Sequence, residues 1–83
     1  MGELSKLPNI SGTIEGKLNQ AGIQTAEQLK ELGSKESFLR IRLNDNTACV
    51  NMLYAIEGAI EGIRWHGLDQ AVKQDLKNFH SGL

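Results

Sequence analysis

Apolar residues recur along this chain on a helical rhythm, and the rhythm is strongest in CVNMLYAIEGAIEGIRW, Cys49 to Trp65. At about 100° per residue, Cys49, Met52, Leu53, Ile56, Ala59, Ile60 and Ile63 share one broad face. Glu57, Glu61 and Arg64 occupy a narrow polar sector opposite. Val50, Tyr54 and Trp65 flank that sector, and Asn51, Ala55, Gly58 and Gly62 make a strip of small residues. A helix apolar around most of its circumference is buried on several sides. This stretch is therefore expected to be the spine of the fold, capped by Thr47 and closed by His66-Gly67.

Four shorter helices are expected around it. Leu4 and Leu7 turn inward in a short lead-in, Pro8 holds Leu7 out of helical geometry, and residues 9–12 form a tight turn. Ser11 caps a first helix over about 12–21, with Ile14 and Leu18 one turn apart and Gly22 placed as a left-handed terminator. Gly16 inside that helix implies close packing against another helix, and the Gly58/Gly62 strip is the expected mate. Thr25 and Gln28 form a capping box for a second helix that Gly33 ends, with Ile23 just before the cap packing on Leu29. Ser34 caps a third helix over about 35–43, with Phe38, Leu39, Ile41 and Leu43 turned inward and Arg40 and Arg42 outward. Asp69 caps the last helix, about 70–80, burying Val72, Leu76 and Phe79. No alternating strand pattern with a tight turn appears. The expectation is an all-α, compact five-helix domain, with an N-terminal helix-hairpin-helix-like pair and a long central helix.

Composition narrows the function more than the fold. Eighty-three residues make one domain, 1–83, since halves would be too small to hold separate cores. With 40% apolar and 23% charged residues the chain is too apolar for a disordered one. The net charge of −1 bears on nucleic acid, because non-specific DNA affinity comes mainly from Lys and Arg neutralising phosphates. A basic field over the whole protein is excluded; a local patch of Lys35, Arg40 and Arg42 is not. The single cysteine, Cys49, excludes an internal disulfide and a cysteine-based zinc site within one chain. The N-terminus lacks the apolar core of a secretory signal. Lys6 stands where the myristoylation pattern at Gly2 wants Ser or Thr, so that motif is rejected. The expected compartment is the cytoplasm.

The stretch LPNISGTIEGKLNQAGIQTAEQLKELG, with FLRIR at 38–42 and NMLYAIEGAIEGIRW at 51–65, resembles the TfoX (Sxy) C-terminal domain family, named for bacterial competence regulators. The resemblance covers most of the chain. It implies an all-helical fold, a regulatory role and no established chemistry. In the competence regulators this domain follows an N-terminal domain not found in these 83 residues, so the resemblance implies a stand-alone version. The wider helix-hairpin-helix class grips the DNA backbone through a Gly-hydrophobic-Gly tripeptide whose amides approach a phosphate. Asn9-Ile10-Ser11 stands there instead. The hairpin is thus expected as architecture without its phosphate site.

Each remaining candidate has a competing structural explanation. An amide nest at 10–13, with Ser11, Gly12, Thr13 and Lys17, could take a phosphate, but a capped, water-satisfied helix start is the better reading. Lys35, Arg40 and Arg42 could edge a DNA backbone, and a solvated helix face is again better. Cys49 at a helix N-terminus has the position of an activated thiol, yet its place on the apolar face predicts burial. His66 would lie more than about 20 Å away along the same helix, at about 1.5 Å per residue. Glu57 and Glu61 read as a salt-bridge face, with Arg64 neutralising Glu61, rather than as a metal site. The run 49–65 is too short and too charged to span a bilayer, which needs about 20 apolar residues. Val50, Tyr54 and Trp65 either bury within the monomer or meet a second copy. The functional expectation is a non-enzymatic, regulatory interaction module holding a protein partner or a homodimer mate. The alternative is weak, sequence-independent DNA binding. No cofactor, metal, membrane or small-molecule substrate is expected.

Overall fold

The computed structural model describes residues 3–83, so the rejected Gly2 pattern lies outside the described residues. Within that range the chain is all-helical, with no strand. Four α-helices follow one another: α1 (Gly12–Gln20), α2 (Ala26–Asn44), α3 (Val50–Glu61) and α4 (Gln70–Ser81). Single 3-10 turns precede α1 (Leu4–Lys6) and follow α3 (Trp65–Gly67).

Four helices stand where five were expected, because the second and third run together as α2. Gly33 still marks their junction: its φ of 81° and ψ of 168° put a sharp kink inside the 19-residue element. Helical bonding resumes at once on the far side. Ser34 spends its hydroxyl on Glu57 of α3, at 2.6 Å, rather than on a cap.

The caps at the other boundaries follow local chemistry. Ser11 Oγ accepts the Ile14 amide at 3.2 Å. Thr25 Oγ1 accepts the Gln28 amide at 3.1 Å while Gln28 Oε1 accepts the Thr25 amide at 3.2 Å. Asp69 accepts the Ala71 amide at 3.3 Å. Gly22, at φ 86°, ends α1 in a Schellman turn. There the Ile23 amide donates to Leu18 O at 2.9 Å, and the two side chains beneath it are wholly buried.

The spine is shorter than its apolar pattern. Thr47 does not cap it; its amide bonds to Asp45 Oδ1 at 3.0 Å, in the loop. Cys49 is the N-cap, in extended conformation and exposed, where burial was expected. At the other end Gly62, at φ 78°, closes α3 four residues before His66, with the Ile63 amide on Gly58 O at 2.9 Å. The chain then turns away, which leaves Ile63 exposed and Arg64 without an ion pair to Glu61 among the described residues.

Leu4, Leu18, Ile23, Leu29, Phe38, Leu53 and Ile56 are fully buried, and with Leu76 of α4, nearly so, they join all the helices through one core. The largest pairing is α2 against α3. Leu4 belongs to this core because the lead-in is tied down. Glu3 accepts the Ala26 amide at 2.9 Å, and Glu15, itself buried, accepts the Ser5 amide at 3.1 Å. Leu43 was expected inside and is 85% exposed.

Candidate functional site

Asn9 is where the hairpin and the spine meet. It is the one non-glycine with positive φ among the described residues, at 69°, a conformation Asn tolerates because its short amide can bond locally. Its Nδ2 donates to Ile63 O at 2.9 Å and to Ala55 O at 3.4 Å, and its Oδ1 accepts the Trp65 amide at 3.1 Å. The side chain crosses directly over Gly58. A Cβ on Gly58 would lie 2.5 Å from Asn9 Nδ2 and 2.8 Å from Ile63 O. The small-residue strip of α3 therefore receives an amide and a returning backbone. It does not receive α1: Gly16 is exposed, and a Cβ there would touch nothing within 4 Å.

Because α3 ends at Glu61, Trp65 folds back alongside the helix. Its ring stacks on Tyr54 (centroids 5.7 Å apart, planes at 20°) and on His66 (4.0 Å, 27°). Lys73 of α4 covers the indole at 5.8 Å and donates to His66 O at 3.2 Å. Of the three expected interface residues, Tyr54 and Trp65 are brought together, and each is half-buried. Val50 lies one turn before Tyr54, also half-buried.

The same return of the chain forms a groove of about 440 Å³ between α1, α3 and the segment after α3. Ile14, Met52, Ala55 and Trp65 give it apolar walls, and Cys49, Arg64 and His66 lie along it with Asn9 and Asn51. Arg64 and His66 are its basic groups, and no carboxylate lines it. Cys49 and His66, expected at opposite ends of a long helix, thus share one groove, with no hydrogen bond between them among the described residues. Sequence reasoning missed this groove by reading Gly62 only as a small residue. A glycine followed by an apolar residue is also the signal of a Schellman end, and taken so it would have turned the chain at residue 62.

The expected nucleic-acid contacts are scattered. Ser11, Gly12 and Thr13 are exposed at the start of α1, but the Ser11 hydroxyl is already used as the cap. Lys17 is bonded to Asp45, whose carboxyl is lowered to about 2 first by that bond and then by Thr47. Lys35 pairs with Asp75 of α4 at 2.7 Å and lies 5.4 Å over the Phe79 ring. Arg40 pairs with Glu36 at 3.1 Å. Of the four cations in this set, Arg42 is the one with no ion pair among the described residues, and it is half-buried at the far end of α2.

Glu57 meets Ser34 at the kink of α2, and Glu61 follows one turn later. The neighbouring Glu57 carboxyl, then burial, raises the Glu61 carboxyl above the usual range. No group of three or more His, Cys, Asp or Glu is arranged to hold a metal among the described residues. No helix there is long and apolar enough to cross a membrane.

The TfoX C-terminal domain matches residues 1–80. The chain belongs to the TfoX C-terminal domain family. Protein Sxy of Escherichia coli (strain K12) is 35% identical to it over 80 residues, which are 96% of this chain and 38% of Sxy. This TfoX C-terminal domain thus spans well under half the length of that relative. In structure it is similar to an uncharacterised protein from Listeria monocytogenes in a triclinic crystal form, with a TM-score of 0.96 and 56% identity over 98% of this chain and 92% of that one. A tetragonal form of a Listeria monocytogenes protein of unknown function gives 0.95 and 56%, over 96% and 98%.

Proposed function

We propose that this TfoX C-terminal domain is a non-enzymatic, regulatory interaction module that holds a protein partner in the groove between α1, Met52 and Trp65. The observation that carries the reading is the lining of that groove. It combines apolar walls from Ile14, Met52, Ala55 and Trp65 with Arg64 and His66, and has no carboxylate. A segment with an apolar anchor followed by Asp or Glu complements it in shape and charge, and aromatic residues and Arg are the side chains that most often carry interface energy. An exposed free thiol at Cys49 suits a reducing compartment such as the cytoplasm.

The test is capture from lysate of the source cells on immobilised protein, with the retained protein identified. Arg64→Glu and Met52→Asp, each shown folded by circular dichroism, should lose that same protein, while Lys30→Glu on the exposed face of α2 should retain it. Retention by both groove variants would remove the reading.

Weak duplex-DNA binding is the competing reading. Against it stand the internal ion pairs of Lys17, Lys35 and Arg40 and the commitment of Asn9 to the spine. DNA affinity that falls steeply with salt, and less steeply once Arg40 and Arg42 are neutralised, would reverse that judgement.

A further inference from the structure

Given a protein partner in the groove at Trp65, the reading on which this rests, we propose that the bound segment is apolar at one end and acidic at the other. Its acidic side chains pass Trp65 onto Lys73 and Lys77 of α4, so the groove is the first part of a two-part site. The second part is a trough of about 200 Å³ lined by Tyr54, Gln70, Lys73, Gln74 and Lys77. Tyr54 lines the trough and Trp65 and His66 line the groove, so the two adjoin across the stacked rings. Lys73 bridges them, lying over the indole at 5.8 Å and donating to His66 O at 3.2 Å. The four α4 residues recur at the spacing that puts them on one face of a helix. Asp75 falls on the opposite flank, where it pairs with Lys35.

The charges choose the occupant. No carboxylate lines either part, and Arg64, Lys73 and Lys77 have no ion pair among the described residues. Lys73 gives one donor to His66 O, and an ammonium has three. The site therefore changes along its length, from the apolar walls of Ile14, Met52 and Ala55 to cations around Trp65 and on α4. A polypeptide can change character in the same way. A nucleic acid cannot, since it would lay a phosphate against the apolar walls as well, and its charge would extend past the strip to Asp69 at the start of α4. Lys73 and Lys77 stand about 6 Å apart along the helix, at about 1.5 Å per residue. Alternate residues of an extended segment, about 6–7 Å apart and on one side, match that spacing, so the acidic end reads acid-x-acid.

Selection of a random peptide library, displayed on phage, against the immobilised protein tests this, with the enriched peptides synthesised and their affinities read by fluorescence polarisation. They should share an apolar anchor followed by acid-x-acid, and Met52→Asp should abolish their binding. Lys77→Glu, shown folded by circular dichroism, should weaken them about tenfold, since an attraction becomes a repulsion, while Lys30→Glu should leave them unchanged. Lys77 touches neither the indole nor His66 in any ring or hydrogen-bond contact among the described residues, so its loss does not disturb the stack. Replacing the acidic residues of the peptide by Lys should reverse the preference and favour the Lys77→Glu protein. Peptides without acids that are lost by Met52→Asp but indifferent to Lys77→Glu would overturn this proposal and leave the groove reading standing. An oligo(dT) strand that displaces the peptides, and is itself weakened by Lys77→Glu, would also overturn it, in favour of nucleic acid. A library yielding no binder sensitive to Met52→Asp would remove the groove reading and this proposal together.

Discussion

The ends of α3 and α2 finish in opposite ways. Where α3 ends, a glycine turns the chain, and Asn9, Gly58, Ile63 and Trp65 lock together through the amide of one side chain. Where α2 ends, the last turn runs on past the core, and Leu43 stands in solvent beside Arg42 and Leu83. Both stretches are similar in sequence character, apolar residues with scattered charge. The difference lies in whether another part of the chain comes back to cover them. Residues 63–65 return over α3, whereas at the end of α2 Asp45 is tied to Lys17, which closes the loop and leaves the outer face open. A corner closed on itself has its polar groups consumed internally and contributes stability. An open edge keeps groups available for another molecule.

The sharpest way to break that contrast is Gly58→Ala. The added methyl has to displace Asn9 and the Ile63 carbonyl, and overpacking of this kind costs about 2–3 kcal/mol. Thermal denaturation should show a fall in melting temperature of roughly 10–20 °C for a domain of this size. Asn9→Ala should cost less, about 1–2 kcal/mol for the hydrogen bonds it removes. In a Gly58→Ala background its cost should shrink, since the Asn9 bonds are already disturbed there; a double-mutant cycle reads that coupling directly. Costs that add would mean that the two residues do not share the corner.

A smaller effect belongs to the loop after α2 and depends on pH. The Asp45 carboxyl is held at about 2, below its ordinary 3.8, by Lys17 and Thr47. The folded value lies below the unfolded one, so protonation favours unfolding. The contribution is whole above about pH 4 and disappears as pH falls to about 2. Asp45→Asn should therefore lower the urea midpoint at about pH 5 and converge on the wild type near pH 2. Added salt should shrink the gap, because the pair is partly solvated. A constant gap at every pH would reassign the effect to the turn rather than to the charge.

The smallest change in stability is expected at the open edge. Leu43→Asn should move the unfolding free energy by less than about 0.5 kcal/mol, measured by urea denaturation at a concentration where the chain is monomeric. A loss of 2 kcal/mol or more, the cost of truncating a core leucine, would mean that Leu43 is covered in the folded monomer.

The sequence by itself determined the helices and most of their ends, because those depend on residues within a turn of one another. The Thr25/Gln28 box, the Ser11 and Asp69 caps and the Gly22 terminator are all local arrangements, and even the kink at Gly33 lies where its missing side chain put it. The family was legible for a related reason: the resemblance is carried by contiguous stretches of the chain, 7–33, 38–42 and 51–65. Only the tertiary structure decided what Asn9 and Gly58 are for, since Asn9 meets partners 46 to 56 residues further along the chain. It also decided that Cys49 and Leu43, apolar in pattern, face outward. Hydrophobic periodicity specifies which side of a helix is apolar, but not how far along its length other chain arrives to bury it.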